Sequence, residues 1–500
     1  MFRLPLETQR QGAAVKEAQE RHKADATDGS TRIVSEEDWD WKCRRETAQE
    51  FIYFHPFIQE FLFPNKLRPV ETLYRTDIQA ARVKLQNGGA YEFKVGRLLL
   101  HLFPADLAIL SLEISTDSAI HTASEIPLSQ IMLLMDQFRR VAAPYWSDTS
   151  GDGMAVIAQK VPEQVEWLDV SGKVICAGTF NDWRAHVQDV ETGRRLPVAA
   201  HWLALIHPLT PYRPDREKID GLYFEQIDDE RIPLLSYISA RNAGSISDGD
   251  FARLLFCDEP GDSRKYAYGK TFMQDVMKAH SYDRYWEPDE GLTTRYLFSA
   301  FSGVVVGSST DDFFNNILRE HFRHHYYHLF LIAHAQKASL LVYWRRLAEL
   351  MHQYAEDPPS TASRRKFENG IKCLTEDFAD FTSRFWFSEV SNQLQPLEMF
   401  RLISDKLGTP QLYAQVIEQI RLVRDVESSG LQESWGRLQD YLVPIIIASS
   451  ILGIEVGFPA IAESVLGKDV SWESSLIFGL SVLVVFTALI AYGIRRLIRR

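Results

Sequence analysis

The sequence is poor in cysteine and has none of the patterns in which cysteine serves a site. The four cysteines among the 500 residues are Cys43, Cys176, Cys257 and Cys373, and no two of them form a C-x-x-C pair. This scarcity argues against a thiolate zinc site and against a disulfide framework, and it predicts a reducing compartment. The start of the chain also has no apolar h-region, so we expect no cleavable secretion signal.

Common catalytic signatures are absent as well. The sequence contains no P-loop, no G-x-G-x-x-G and no G-x-S-x-G, which removes the usual nucleotide and acyl-transfer motifs. We therefore predict that the chain is not an enzyme. Its formal net charge of −12 gives no support to a nucleic-acid partner. An acidic balance is typical of soluble domains, and collection of cations is the alternative interpretation.

The end of the chain, by contrast, is strongly apolar. Residues 474–493 carry no charge, and as a helix they would be about 30 Å long, the thickness of a hydrocarbon core. A second apolar run occupies residues 441–454 and reaches this length only if it continues past Glu455. Four arginines follow the last run, which by the positive-inside rule predicts cytoplasmic termini. The location that we expect is the bacterial inner membrane.

The sequence predicts an α+β cytoplasmic domain followed by long stalk helices and a two-helix transmembrane hairpin. Its predicted parts are a polar arm (1–50), a cytoplasmic α/β domain (51–308), a long-helix bundle and stalk (309–440) and the hairpin with its basic end (441–500). Alternation and β-branched content predict strands at 91–103, 107–114, 201–209 and 295–307, and a helix at 127–141. Caps and prolines predict helices at 311–355 and 362–392, another after Pro396, and one from Thr409.

One predicted helix carries a histidine group. His321, His325 and His328 recur at i, i+4 and i+7, a spacing that places them on one face of an α-helix and can present imidazoles to a metal. The group is interleaved with Tyr326 and Tyr327, as in a packed helical seam. Metal ligation and ordinary packing are both consistent with this pattern.

Glu455 is an acid within an apolar stretch. A carboxylate at depth in a membrane is costly and is usually functional. Three interpretations are open. Glu455 lies hydrated at the outer interface, because Gly457 and Pro459 end the helix there; or it forms a ring of carboxylates with other copies at a cation pathway; or it pairs with another group.

The order of parts and one motif resemble the CorA family of magnesium transporters. That family's first span ends in a Gly-Met-Asn signature, and this chain has "IASSILGIEVGFPAIAE" at the same place. Gly453 matches the signature glycine, whereas Ile454 stands for methionine and Glu455 for asparagine. By architecture the resemblance covers roughly residues 311–500.

The resemblance implies a homopentamer in a lipid bilayer, with no tightly bound cofactor and with Mg²⁺ or another divalent cation transported or regulatory. The residues that it assigns to the pore entrance are Gly453, Ile454 and Glu455. Helical spacing inward from that entrance suggests the pore-lining residues Ile446, Ser449 and Ser450. Because five glutamates would repel one another where the family has neutral asparagine, selectivity for magnesium is an open question.

Two functions follow as expectations. The first is an oligomeric channel for divalent cations, gated by its cytoplasmic domain. The alternative is a signal-gated membrane effector of a bacterial antiviral system, because divergent CorA-like proteins occur in such systems; its ligand would be a small molecule, such as a nucleotide.

Overall fold

The computed structural model describes residues 53–429, with gaps of which the longest are 63–69, 117–124, 148–153, 180–197 and 212–222, together with short strands at 2–3 and 42–43. The chain divides into two compact units, Met1–Ile420 and Arg421–Arg500. The predicted pore entrance and pore-lining residues, 446–455, lie outside the described residues.

Most of the strands occur in the first part of the chain. They are β1 (Phe2–Arg3), β2 (Lys42–Cys43), β3 (Glu71–Arg75), β4 (Ala80–Lys84), β5 (Ala90–Phe103), β6 (Leu107–Ser115), β7 (Tyr145–Ser147), β8 (Met154–Val156), β9 (Gln164–Leu168), β10 (Val174–Thr179), β11 (Thr210–Pro211), β12 (Tyr223–Gln226), β13 (Leu234–Ala240), β14 (Ser281–Tyr282), β15 (Trp286–Glu287), β16 (Leu292–Thr293), β17 (Arg295–Phe298) and β18 (Ser302–Ser308).

Short helices lie between the strands, and longer helices make up the chain after residue 312. In chain order the helices are α1 (Pro56–Leu62), α2 (Leu128–Phe138), α3 (Ala200–Ile206), α4 (Asp248–Phe256), α5 (Lys270–His280), α6 (Tyr327–Glu356), α7 (Thr361–Arg384), α8 (Leu394–Leu407) and α9 (Thr409–Ser429). Between β18 and α6, the turns Phe313–Leu318 and Phe322–Tyr326 are π-helical and flank one α-helical turn. We call residues 313–326 the π-helical segment.

Two sheets organise the α+β part. Sheet one has the order β10-β9-β4-β5-β6-β1-β12-β11, with β3 also paired to β5 and β2 to β3. Sheet two has the order β13-β18-β17-β14, and β13 runs parallel to β18. The sequence explains both patterns. Strand β4 alternates buried and exposed residues, so one of its faces meets water, whereas β18 is buried along almost its whole length, as a central strand must be.

Helix α2 belongs to the cores of both sheets. Its Phe138 packs with Trp167 and Trp202 in the core of sheet one. Met132 and Met135 pack in the core of sheet two. Because close-packed interiors resist local displacement, this helix fixes the two cores against each other.

The predicted fold class is wrong. The described part is an α+β domain followed by a helical half, and none of its helices is long and apolar enough to cross a membrane. The helices do not form a stalk either: the first half of α6 is buried around its whole circumference and packs against α7 and α8. Such a helix is a core element rather than an extended connection. The predicted hairpin at 441–500 lies outside the described residues.

Some of the predicted strands and helices are confirmed, and one predicted strand is wrong. The strands at 91–103 and 107–114 are confirmed as β5 and β6, and the helix at 127–141 as α2. The strand expected at 201–209 is wrong, because residues 200–206 form α3. Trp202, Leu205 and Ile206 are buried there, an i, i+3, i+4 pattern that fits an apolar helix face as well as a short strand.

A fully buried ion pair attaches α3 to sheet one. Arg75 donates from Nε to Asp77 Oδ1 at 2.9 Å, and neither side chain is exposed to solvent. Its Nη1 also donates to the carbonyls of Ala204 and Leu205, at 2.8 and 3.1 Å. The guanidinium therefore holds the end of α3 as well as neutralising Asp77.

We expect Arg75→Met to lower the free energy of unfolding by about 3–5 kcal/mol, because it leaves a buried carboxylate without its partner. The double variant Arg75→Met/Asp77→Leu should recover most of this loss, since no charge then remains to be compensated. Denaturant unfolding of the full chain measures both values. Arg364→Met, which breaks an exposed pair with Glu368, is the control and should cost under about 1 kcal/mol; equal losses for the single and double variants would contradict the prediction.

Candidate functional site

The π-helical segment is the least regular element of the helical half. A π turn closes hydrogen bonds one residue later than an α turn, is rare, and occurs frequently at functional sites. Here the segment directly follows the central strand β18 and continues into α6. Its entry is fixed by Asp311, whose Oδ1 accepts the Phe313 N–H at 2.9 Å, and by Asn315, whose Nδ2 donates to the Asp311 carbonyl at 2.8 Å.

Sheet two contacts the segment through an aromatic pair. The Tyr237 ring of β13 stacks on Phe314, with ring centroids 4.4 Å apart, and its hydroxyl donates to the Phe314 carbonyl. Burial raises the pKa of Tyr237, so the hydroxyl stays a donor at physiological pH. A Cβ at Gly307 would lie 2.2 Å from the Phe314 ring. Glycine at this position of β18 therefore permits the close approach.

Sheet one contacts the segment through charges. Arg97 of β5 pairs with Glu113 of β6, and Arg323 of the segment donates from Nε to Glu113 Oε1 at 2.6 Å. Arg97 also donates from Nη2 to the Arg323 carbonyl at 2.5 Å. The register of β5 and β6 shifts between Val95 and Arg97, and such bulges re-aim side chains. We call Arg97, Glu113 and Arg323 the charge network.

The Glu113 carboxylate thus pairs with the guanidinium groups of both Arg97 and Arg323. Burial opposes the charge of Glu113, but Arg97 and Arg323 outweigh this effect and lower the pKa of the carboxyl. The network stays partly accessible, with 22% of the Glu113 side chain exposed. Its strength therefore depends on the protonation of Glu113 and on the position of either arginine.

Polar contacts also surround the junction between the segment and α6. His101 Nε2 is hydrogen-bonded to the Tyr327 hydroxyl at 2.6 Å, and the Arg97 guanidinium lies 5.1 Å from the Tyr327 ring centroid. On the other side, Gln395 of α8 donates to the Tyr326 hydroxyl at 2.9 Å. Both sheets and α8 therefore meet the chain at the point where α6 begins.

The predicted histidine group is only partly brought together. The rings of His321 and His325 lie 5.2 Å apart, and Tyr53 stacks on His325 at 3.9 Å. His328 instead packs against Phe54 at 6.0 Å. The wider π turn rotates later residues away from the stripe that α-helical spacing predicts, so the three imidazoles do not form one cluster.

Metal ligation by these histidines stays a prediction. Among the residues that the structure describes, no group of three His, Cys, Asp or Glu side chains is placed to hold a metal. Burial lowers the pKa of His321, which keeps this imidazole neutral. The aromatic stacking of His325 is what a packed helical seam predicts.

Sequence reasoning missed the charge network entirely. Arg97 and Glu113 lie in neighbouring strands, and Arg323 follows them by more than two hundred residues, so no spacing connects them. The available signal was the "KVGRL" of a predicted strand, where glycine before a charged residue is typical of a bulge.

We expect Glu113→Gln to lower the free energy of unfolding at pH 7 by about 1–2 kcal/mol, because two charge-assisted hydrogen bonds weaken. Since the folded-state pKa of Glu113 lies below its unfolded value, this stabilisation is present above about pH 4.3 and is lost as pH falls through the folded pKa. The difference between wild type and variant should therefore shrink on acidification, as followed by denaturant unfolding at several pH values. Glu389→Gln, in an exposed pair with Arg401, is the control; a difference that does not change with pH would overturn the assignment.

Comparison with known proteins adds no relative: no family model, no curated protein and no solved structure matches this chain.

Proposed function

We propose that this chain is a gated membrane protein that passes divalent cations, and that its α+β part controls the passage through the π-helical segment and α6. The observation that carries the proposal is the charge network. It connects sheet one to the residues immediately before α6, while Tyr237 connects sheet two to the same segment. A ligand or strain that shifts either sheet would therefore act on the start of one core helix.

The membrane and cation parts of the proposal rest on the sequence. The uncharged run at 474–493 and the arginines after it favour a lipid bilayer as partner and a cytoplasmic position for the α+β part. Glu455 is the carboxylate proposed to meet the cation, with Gly453 and Ile454 beside it as in the resemblance to CorA transporters. Several copies of the chain, five by that resemblance, would surround the pathway.

The charge network suits gating because it is both strong and adjustable. Charge-assisted hydrogen bonds are roughly twice as strong as neutral ones, yet a partly exposed network can rearrange without burying an unpaired charge. The first half of helix α6 is packed on all sides, so a change at its first residues would move this part of the helix as a unit. Bistable packed elements of this kind convert small shifts into discrete states.

We expect the full chain in proteoliposomes to pass Mg²⁺ or another divalent cation, and Glu455→Gln to change the rate or the order of selectivity because the carboxylate charge is lost. Cation-sensitive dyes inside the vesicles measure the flux. Absence of flux for every divalent cation tested would refute the proposal.

A pair of variants tests whether the charge network gates the passage. Arg323→Gln removes the network contact and should alter the open fraction at least several-fold, since it changes the relative stability of two states. Arg384→Gln changes an exposed arginine at the end of α7, which is paired with Asp380, and should leave the flux unchanged. Equal effects of both variants would mean that the charge network does not gate.

A second candidate is a signal-gated membrane effector, as in bacterial antiviral systems. What favours it is Arg139, a buried arginine near the junction of the two cores, whose Nε and Nη1 atoms lack hydrogen-bond partners among the described residues, as a binding site for an anionic signal would show. Under this function, expression should be harmless until the signal is supplied, and membrane leakage should then follow within minutes. Rescue of magnesium-limited cells without any signal would instead favour constitutive transport.

A further inference from the structure

Three arginines meet where the cores of the two sheets adjoin. Arg139 and Arg140 follow the end of α2, and Arg231 precedes β13. Their backbones are held together, because Arg140 and Arg231 form an antiparallel bridge and the Ile232 N–H donates to the Arg139 carbonyl at 2.6 Å. We call these three residues the arginine cluster.

An aromatic ring orders two of the three side chains. The guanidinium groups of Arg139 and Arg231 lie 4.7 and 5.6 Å from the ring centroid of Phe301. Cation–π contacts of this kind position a guanidinium without using its N–H groups. Phe301 therefore holds the Arg139 guanidinium without using its Nε and Nη1 atoms.

The nearby Asp136 carboxylate is already paired with two other cations. It accepts from Arg140 Nη2 at 2.9 Å and from Lys160 Nζ at 3.2 Å, and Lys160 is also paired with Glu259. The charge of Asp136 is thus shared between two cations. It contributes little to balancing Arg139.

The other acidic groups near Arg139 do not pair with it directly. Cys257 is fully buried, and burial raises the pKa of its thiol to about 11, so it is neutral at physiological pH. The Asp258 carboxyl accepts from the Tyr266 hydroxyl. Among the described residues, Arg139 therefore has no carboxylate bonded to its Nε and Nη1 atoms.

The buried Arg139 side chain lacks hydrogen-bond partners for two of its atoms within the part of the chain that the structure describes. It is 2% exposed, and its Nε and Nη1 atoms have no hydrogen-bond partner among the described residues; Arg140 Nε shares this condition. Leaving a charged donor buried and unpaired is among the most costly arrangements in a folded protein. Arginine does not escape the cost by losing its proton.

We propose that the arginine cluster binds the phosphate group of a small soluble ligand. Guanidinium forks match phosphate oxygens in pairs, and a phosphate carries enough charge to balance more than one arginine. The site communicates with solvent through Arg140 and Lys160, whose side chains are 12% and 31% exposed. Because Arg139 lies below that surface, a soluble phosphate reaches it, whereas the headgroups of a flat bilayer do not.

The position of the cluster connects it with the proposed gate. Phe301 immediately precedes β18, and the π-helical segment begins a few residues after β18 ends. The inference deepens the proposed function, since it names the class of its signal, and it rests on that function only for its regulatory role. Binding and flux are measured separately, so that one can fail without the other.

The test is calorimetric titration of the full chain with pyrophosphate, at constant ionic strength set by potassium chloride. We expect saturable binding by the wild type and an affinity at least about tenfold lower for Arg139→Gln, because one charge-assisted contact is lost. Arg401→Gln changes an exposed arginine on α8 and should bind as the wild type does.

A second variant covers the case in which Arg139→Gln does not fold. Arg231→Gln alters a partly exposed member of the cluster and should weaken binding to a similar extent. No saturable binding of pyrophosphate by the wild type, or wild-type affinity in the folded variants, overturns the inference. Flux without binding would overturn this inference alone, and binding without flux would overturn the transport proposal alone.

Discussion

The burial of the first half of α6 on all of its faces is the constraint on which the helical half depends. Buried polar side chains are usually hydrogen-bonded, and two polar residues of this half bond within the fold. His334 Nδ1 is hydrogen-bonded to the Phe330 carbonyl at 2.9 Å, and Gln336 donates to the carbonyls of Phe385 and Phe387. Burial lowers the pKa of His334 to about 4, so this core stays uncharged. The chain after α7 is thereby fixed to α6.

The irregular turns before α6 follow from the same constraint. Helix α6 is held by its own packing, while β18 is held by its neighbours in sheet two, and the residues between them must fit a distance that neither element can adjust. A π turn adds one residue to a turn without breaking the helix. Its cost is offset here by Glu113, which binds Arg323, and by Tyr237, which bonds the Phe314 carbonyl. The segment thus joins two fixed elements and is itself held by contacts from both sheets.

The sequence predicted elements where one physical signal dominates. Strands β5 and β6 alternate and are rich in branched residues, so period and propensity agree. The same reasoning failed at residues 201–209, because a short apolar run fits a helix face equally well. It also failed for α6: "HLFLIAHAQKASLLVYW" is apolar around the helix, which indicates a core helix, but the length of the whole pattern favoured a stalk. The charge network could not be predicted, because its members come together only when β5 pairs with β6 and the π-helical segment packs against both strands.

The two sites described here lie at opposite ends of one strand. Phe301 of the arginine cluster precedes β18, and Gly307 near its other end receives the Phe314 ring of the π-helical segment. Seven residues of strand span roughly 23 Å, and β18 is hydrogen-bonded on both sides, to β13 and β17. A strand in that position moves as a unit with its sheet rather than bending. An anion that draws Arg139 and Arg231 together would therefore act on Phe301 between them, and sheet two would carry that displacement to Tyr237 and Phe314. Coupling by this route needs no long-range electrostatic effect, because Phe301 contacts Arg139 and Arg231 and directly precedes the central strand.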